Sequence, residues 1–490
     1  MKTKILLNTF ATCAVAMAVL ATVASANGQA NKTTGAEATA RKPNIVYIVA
    51  DDLGWKDVGF HGSDIKTPNL DKLAAEGVNL EQFYVQPMCT PTRAALLTGR
   101  YPFRYGLQTA VIPAGAKYGL ATDEWLLPQA LKEAGYTTAI IGKWHLGNVD
   151  HKYWPRQRGF DYQYGPLIGE IDYFMHEAEG IVDWFRDNKK VVEKGYSTTL
   201  LGNDAVKFIN ERNTSKPFFL YLTFNAPHTP YQAPQEYLDK YKDIADPTRR
   251  AYAGSITAMD DQIGRVVDAL DKKKMRDDTL IVFMSDNGGT RNPMFSGAIA
   301  DVSKIKIPCD NGPYREGKGS LYEGGTRVVA FANWPGHIPP GTTVKEIIHV
   351  VDMYPTLAKL AGASTSKCKP LDGLDVWGAI SDGKASPRTE VVYNIEPFRA
   401  AVRQGDWKLI WRPTLPSSVE LYNIAQDPSE KNNVAAAHPE IVATLQKRAQ
   451  ELAAAGVKPL FMEEGFREIV RWSHLPPAFP GEELEFDQEK

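Results

Sequence analysis

Positive charge is not in excess. Against 58 Asp and Glu stand 56 Lys and Arg, a formal net charge of -2. Nothing in that balance points to nucleic acid, because a protein that neutralises phosphates needs a basic surplus. An anionic ligand would have to be met by local positive charge. A long apolar run is also missing. The stretch Ala14 to Val23 follows Lys2 and Lys4 and precedes Ala24-Ser25-Ala26, which reads as an export signal cleaved after Ala26 and not as a membrane span. Residues 27–41 then form a polar leader, and the expected location is a bacterial periplasm or exterior. Cysteine is scarce, with four in the chain. Cys13 leaves with the signal, and its setting, Phe10-Ala11-Thr12-Cys13, is a poor lipoprotein signal. Cys89, Cys309 and Cys368 remain. Internal repeats and long low-complexity tracts are absent.

What is present is a large globular chain. Its hydrophobic content of 43% and charged content of 23% are ordinary for a soluble protein. At 490 residues it exceeds one ordinary core, so a large domain over 42–385 and a smaller one over 386–490 are expected. Asn44 to Ala50 is a continuous apolar, β-rich run, as are Thr137 to Ile141, Pro217 to Phe224 and Thr279 to Met284. Runs of this kind read as strands buried on both faces. A helix is predicted near Leu126 to Ala134. Another crosses between the third and fourth strands, where Ile256, Met259, Ile263, Val266, Val267 and Leu270 keep helical spacing. Strands separated by helices imply an α/β fold with a parallel sheet covered on both faces. After about residue 385 short strands at Glu390 to Asn394, Ala400 to Arg403 and Trp407 to Trp411, then a helix from Pro439, suggest a small antiparallel sheet with one packed helix. The Pro- and Glu-rich tail begins at Pro476.

Each long strand ends in polar chemistry. The first is followed by Asp51-Asp52, the second by Lys143-Trp-His145, the third by Asn-Ala-Pro-His228 and the fourth by Asp286-Asn287. In open parallel sheets ligands bind beyond the carboxyl ends of the strands, so these four clusters should converge. Asp51, Asp52, Asp286 and Asn287 offer only oxygen, which suits Ca2+ or Mg2+ better than zinc. Lys143 and Lys318 can hold anionic oxygens beside Arg93, and His145 and His228 can exchange protons near neutral pH.

Residues 89 to 100, Cys-Thr-Pro-Thr-Arg-Ala-Ala-Leu-Leu-Thr-Gly-Arg, hold the centre. Thr90 reads as a helix N-cap, Pro91 as the first helical residue and Gly99 as a left-handed C-cap. Cys89 would then lie just ahead of a helix N-terminus that favours negative charge. The stretch matches the signature Cys-x-Pro-x-Arg followed by Leu-Thr-Gly-Arg of the type I, formylglycine-dependent sulfatases, and the chain resembles most the arylsulfatase B (N-acetylgalactosamine-4-sulfatase) branch. The likeness covers roughly residues 42 to 450. It includes Ala50-Asp-Asp-Leu-Gly-Trp55, Leu127-Pro-Gln to Gly147, Arg158-Gly-Phe-Asp161, Asp286-Asn-Gly-Gly289, Leu321 to Arg327, Pro370 to Trp377 and Gly405-Asp-Trp-Lys408. Thr92 departs from the commoner Ser or Ala, and Thr290 to Pro313 does not align.

The resemblance implies an alkaline-phosphatase-like sandwich, with a large mixed, mostly parallel sheet and a small C-terminal antiparallel one. It also implies calcium on Asp51, Asp52, Asp286 and Asn287, with residue 89 as a further ligand. Cys89 would be oxidised to formylglycine by a formylglycine-generating enzyme that reads the Leu96 to Arg100 tail. The aldehyde hydrate would attack sulfur, with one hydroxyl ionised with help from the cation. His228 would protonate the departing sugar oxygen, Lys143, Lys318 and Arg93 would hold the sulfate, and His145 would take the proton that lets sulfate go. The implied substrate is a 4-sulfated galactose or N-acetylgalactosamine unit of a polysaccharide-derived oligosaccharide. Glu170, Tyr173, His176 and Trp407 are the candidate sugar-binding residues. A phosphate or phosphonate ester hydrolase on the same fold is the nearest rival, and an exported glycan-binding protein with a dead site is another. Cys309 and Cys368 either pair in an oxidising compartment or remain separate thiols.

Overall fold

The four apolar runs become four neighbouring strands in the computed structural model, which describes residues 41–291 and 307–472. The signal segment, the leader and the tail from Pro476 lie outside the described residues. The strands are β1 Asn44–Ala50, β2 Val78–Tyr84, β3 Thr137–Gly142, β4 Tyr162–Gly165, β5 Glu177–Ala178, β6 Ile181–Val182, β7 Phe185–Arg186, β8 Lys189–Lys190, β9 Phe218–Thr223, β10 Thr279–Ser285, β11 Ala330–Asn333, β12 Thr342–His349, β13 Glu390–Glu396, β14 Arg399–Gln404, β15 Trp407–Arg412 and β16 Ser418–Asn423. The helices are α1 Pro68–Ala75, α2 Cys89–Thr98, α3 Leu127–Glu133, α4 Ser197–Asn210, α5 Gln235–Leu238, α6 Pro247–Lys272, α7 Glu323–Thr326, α8 Met353–Leu360, α9 Trp377–Asp382, α10 Pro439–Ala454 and α11 Leu460–Trp472.

Ten strands form one sheet in the order β12-β2-β11-β10-β1-β9-β3-β4-β7-β8. Its centre, β10-β1-β9-β3-β4, is parallel throughout, and β11 and β7 run against it. β1 explains why the sheet is a two-sided core. Ile45, Tyr47 and Val49 enter one apolar cluster, with Leu96, Leu97 and Leu127, while Val46, Ile48 and Ala50 enter the other, with Leu201, Ile256 and Ile263. Each such Val or Ile contributes about 1.5–3 kcal/mol over leaving it in water, and no polar residue could hold either face. The first cluster continues into Val402, Leu409 and Leu421 of the small sheet, ordered β13-β14-β15-β16, over which α10 packs.

A second, charged connection joins the two sheets. Lys408 on β15 is fully buried and pairs with Glu323 at 3.0 Å and Glu430 at 2.8 Å. Glu323 also accepts from Tyr84 and Tyr393 (2.8 Å each), and its backbone N–H donates to Glu430 (2.6 Å). Arg399 on β14 donates to the carbonyl of Gly319 (2.7 Å). The segment from Lys318 to α7 is therefore held from the small sheet.

Cys309 and Cys368 are separate free thiols. Cys309 is buried, and Cys368 lies 3.1 Å from the Tyr354 hydroxyl.

Candidate active site

Strand register builds the site. Ala50 pairs with Ser285, Val49 with Thr223, and Gly142 with Thr223. The chain thus leaves β10, β1, β9 and β3 at one edge, where Asp286, Asp51, Asn225 and Lys143 follow. Gly142 (φ +117°) is required there, since a Cβ on it would fall 1.8 Å from the Thr223 carbonyl oxygen. Asp52 and His145 adopt φ +65° and +60°, a left-handed backbone uncommon for such residues that points both side chains into the same space.

Helix α2 brings Cys89 to that edge. All ten of its residues are buried, and Gly99 (φ +67°) closes it with its N–H on Ala95. The start differs from expectation: Met88 is the N-cap and Cys89 is the first helical residue. Thr90 is not the cap, because its hydroxyl donates to the carbonyl of His145 (2.9 Å) and accepts from Ile112 (3.1 Å). Pro91 then falls third, still among the N–H groups that no helix satisfies. Thr92 bonds both the N–H and the carbonyl of Gln86 (3.0 Å each), which closes the turn before Cys89. Arg93 donates twice to Asp286 (3.0 and 2.8 Å) and once to the carbonyl of Lys143 (3.0 Å).

Charge is concentrated below the molecular surface. Asp51, Asp52 and Asp286 are fully buried. Lys143 contacts Asp51 at 2.5 Å, and Lys318 contacts Asp52 at 2.8 Å and His228 Nε2 at 3.0 Å. Burial works to raise the Asp52 carboxyl, but Lys318 and His228 outweigh it and hold it well below the usual range. Asp286 is pushed up to about 6 by burial and by the charge of Asp51, against Arg93. Burial, then Lys318, brings His228 down to about 4. His145 is lowered by burial and by Lys143 and Arg93. The Cys89 thiol is raised by burial and by Asp286 and Asp51, so it is a poor thiolate.

The oxygen set fits a hard divalent cation. Ligand atoms of Asp51, Asp52, Cys89 and His228 lie within 4.8 Å of one another. Asn287 Oδ1 is buried without a hydrogen-bond partner while its Nδ2 donates to Asp52 (2.7 Å). Three buried carboxylates and an orphaned amide oxygen are donors that Ca2+ or Mg2+ would take.

A cavity of about 600 Å3 opens above this cluster, with Cys89, His145, His228 and Lys318 at its foot, a size ordinary for small-molecule sites. His145 Nε2 lies 3.2 Å from the carbonyl of Ile112, and its Nδ1 has no partner. Of the four expected sugar-binding residues only Glu170 lines the cavity. Tyr173 is fully buried and donates to the carbonyls of Asn225 and His228 (2.8 Å each), so it braces the loop carrying His228. His176 is buried, stacks on Trp184 and bonds the carbonyl of Gly195. Trp407 lies on β15 against His438. These three are corrected to structural positions: an aromatic ring that could meet a sugar also fills a core.

Two contributors escaped sequence reasoning. Thr290 Oγ1 donates to Asp52 (3.2 Å); it directly follows the Asp286-Asn-Gly-Gly289 motif, and that adjacency was the available signal. Gly169 lies flat on the imidazole of His145, where a Cβ would come within 2.3 Å of the ring. Nothing local in the sequence marks it.

Comparison with known proteins accords with this geometry. The sulfatase family profile matches residues 43–363, and that of the N-sulphoglucosamine sulphohydrolase C-terminal region matches 316–455. The chain is 38% identical to mouse arylsulfatase J over 78% of its length, spanning 63% of that protein. It is 35% identical to pig N-acetylgalactosamine-6-sulfatase, covering 75% of this chain and 71% of the other. Among solved structures it is similar to Ps i-CgsB in complex with k-i-k-neocarrahexaose, with a TM-score of 0.77, 35% identity, and 86% and 94% of the two chains covered. It is also similar to the PsFucS1 sulfatase from Pseudoalteromonas sp., with a TM-score of 0.71, 28% identity, and 85% and 90% covered. The α/β architecture and the alkaline-phosphatase-like arrangement of a large and a small sheet are those of these neighbours. With one family profile spanning well over half of its residues, the chain belongs to the sulfatase family of sulfuric ester hydrolases.

Proposed function

We infer that the protein is an exported sulfatase that removes sulfate from sulfated oligosaccharides, using residue 89 after its conversion to formylglycine. The observation that carries this reading is the position of Cys89, at the foot of the cavity, 3.3 Å from Asp51 and on the first turn of α2. A formylglycine-generating enzyme is the implied maturation partner. The modified residue would supply the nucleophile, and a cation, Ca2+ or Mg2+, held by Asp51, Asp52, Asp286 and Asn287 would lower the cost of its charge.

The chain's own residues account for the rest. Lys318 and the N-terminus of α2 line the space a sulfate would fill and would hold its oxygens, with Lys143, buried against Asp51, adding its charge from behind. Arg93 acts behind them, fixing Asp286 and the carbonyl of Lys143. His228 Nδ1 lies 2.7 Å from the carbonyl of Thr229, which fixes the tautomer and leaves Nε2 beside Lys318 Nζ. That pair would deliver the proton to the leaving sugar oxygen. His145, neutral and with Nδ1 unpartnered, would accept the proton whose loss frees sulfate.

The substrate reading is a galactose or N-acetylgalactosamine unit sulfated at position 4, as in the arylsulfatase B branch that the sequence resembles. Its support is the sequence resemblance. The relatives include both an arylsulfatase and a 6-sulfatase, so the position is the part to test. Oligosaccharides sulfated at single defined positions should lose sulfate only from position 4. Release solely from 6-sulfated glucosamine or 2-sulfated uronate would overturn the position and leave the sulfatase reading standing. Residues 42–385 would form the catalytic part and 386–490 the supporting one. Among the described residues no helix is long and apolar enough to cross a membrane. A phosphonate monoester hydrolase shares the fold at 20% identity; faster turnover of aryl phosphate than aryl sulfate would favour that rival.

A further inference from the structure

The mouth of the cavity is acidic, whereas at its foot buried carboxylates are matched by Arg93, Lys143 and Lys318. Glu170, Glu177 and Glu179 line the mouth, together with Asp172. Asp172 is engaged by the N–H groups of Phe174 and Met175 and by Gln232. The side-chain carboxylates of the three glutamates have no hydrogen-bond or ion-pair partner among the described residues, while the backbone carbonyl of Glu177 accepts from Asp172 (2.8 Å). Of the described residues lining the cavity, Lys318 alone carries a permanent positive charge, and it lies at the foot beside Asp52. The rest of the lining includes an apolar part, with Val111, Ile112, Pro113, Ile168 and Pro230. The unpartnered Nδ1 of His145, a residue 5% exposed, marks the foot as the place a ligand must reach.

An anion-processing cavity with an acidic mouth must distinguish between anions. Carboxylates accept strong hydrogen bonds from neutral hydroxyls and repel a second anion within the Debye length of about 8 Å. We propose that this acidic mouth selects a sugar whose only negative charge is the scissile sulfate, and rejects one bearing a uronate or second sulfate beside it. Glu170, Glu177 and Glu179 receive ring hydroxyls, and the apolar part of the lining covers the ring's C–H face. Within the proposed substrate class this favours fragments of neutral galactans over uronate-containing glycosaminoglycans. The inference rests on the sulfatase reading.

The test uses the formylglycine-bearing enzyme on a simple aryl sulfate and on two disaccharides. One disaccharide carries a single sulfate ester; the other adds a carboxylate or second sulfate on the adjoining position. The singly charged disaccharide should have a kcat/KM about tenfold higher or more at low salt. That ratio should shrink towards one in the Glu177→Gln, Glu179→Gln double variant and on raising the ionic strength. Glu179 is exposed, so Glu179→Gln alone serves if the double variant folds poorly, with the same direction and a smaller change. Equal rates, a preference for the doubly charged sugar, or a preference untouched by these variants would overturn the proposal while aryl sulfate hydrolysis kept the sulfatase reading. No sulfate release from any of the three would overturn both.

Discussion

Lys318 is held at once by Asp52 and His228, so its ammonium orders the acid–base pair as well as facing the ligand. Lys318→Ala should therefore lower kcat by roughly 10²–10³-fold, the usual loss when one group stabilising developing charge is removed, and should change the pH profile as well as the rate. A kcat within a few-fold of the parent would remove Lys318 from the chemistry. Cys89→Ser should fold, given the small change in volume, and should not turn over, because a hydroxyl lacks the second oxygen needed to expel sulfate; sustained turnover by that variant would end the formylglycine reading. Mass spectrometry of the peptide containing residue 89 reports the modification directly. At this scale the sequence was informative where a residue type has few other uses. Asp51, Asp52, Asp286 and Lys143 meet in space as their positions after strand ends required, whereas Lys318 comes from a Gly-rich loop that directly follows no strand among the described residues. Tyr173 and His176 were legible only as aromatic residues near the right loop, and burial decided against a sugar contact.

Elements were readable in proportion to how completely they are buried. β1, β3, β9 and β10 are mostly apolar because both faces are covered, and their predicted limits coincide with the observed ones at β1 and differ by one residue at each shifted end of the others. β2, VNLEQFY, mixes buried with half-buried positions and β12, TTVKEIIH, mixes buried with exposed ones, and that mixture looks like loop. The Lys408 connection was equally hidden, since Glu323 lies 85 residues from Lys408 and 107 from Glu430 and the three charges only meet through β15. Lys408→Met would leave the buried Glu430 without its cation and Glu323 with Arg327 at 3.7 Å, and should cost about 3–5 kcal/mol, measurable by denaturant unfolding. Of the two acids, Glu430 is the one pushed up, to about 7, by burial and by Glu323 against Lys408. A raised carboxyl stabilises the fold fully below its unfolded value and loses that contribution as pH rises through its folded value. The stability of the parent should thus fall between about pH 4.5 and 7, and Glu430→Gln should flatten that slope. An unchanged slope in calorimetric melts would show that Glu430 does not titrate there.

For the whole molecule, the oxygen cluster predicts that a divalent cation and the fold stabilise one another. A cation at a hundred times its Kd should add about 2.7 kcal/mol, seen as a higher Tm, and Asp51→Asn should lose both that shift and activity. An unaltered Tm and unaltered turnover after verified metal removal would argue against the cation. The burial of Cys89, at 1% exposure, also sets a clock. A protein-sized modifying enzyme cannot reach that sulfur once β1, β3, β9 and β10 have closed over it, and a large parallel sheet of distant strands is slow to form. On the formylglycine reading, modification and folding would therefore compete for the same newly made chain. The proportion of molecules that mature is fixed by which finishes first, and growth in the cold, by delaying folding more than peptide recognition, should yield a larger active fraction from the same amount of protein.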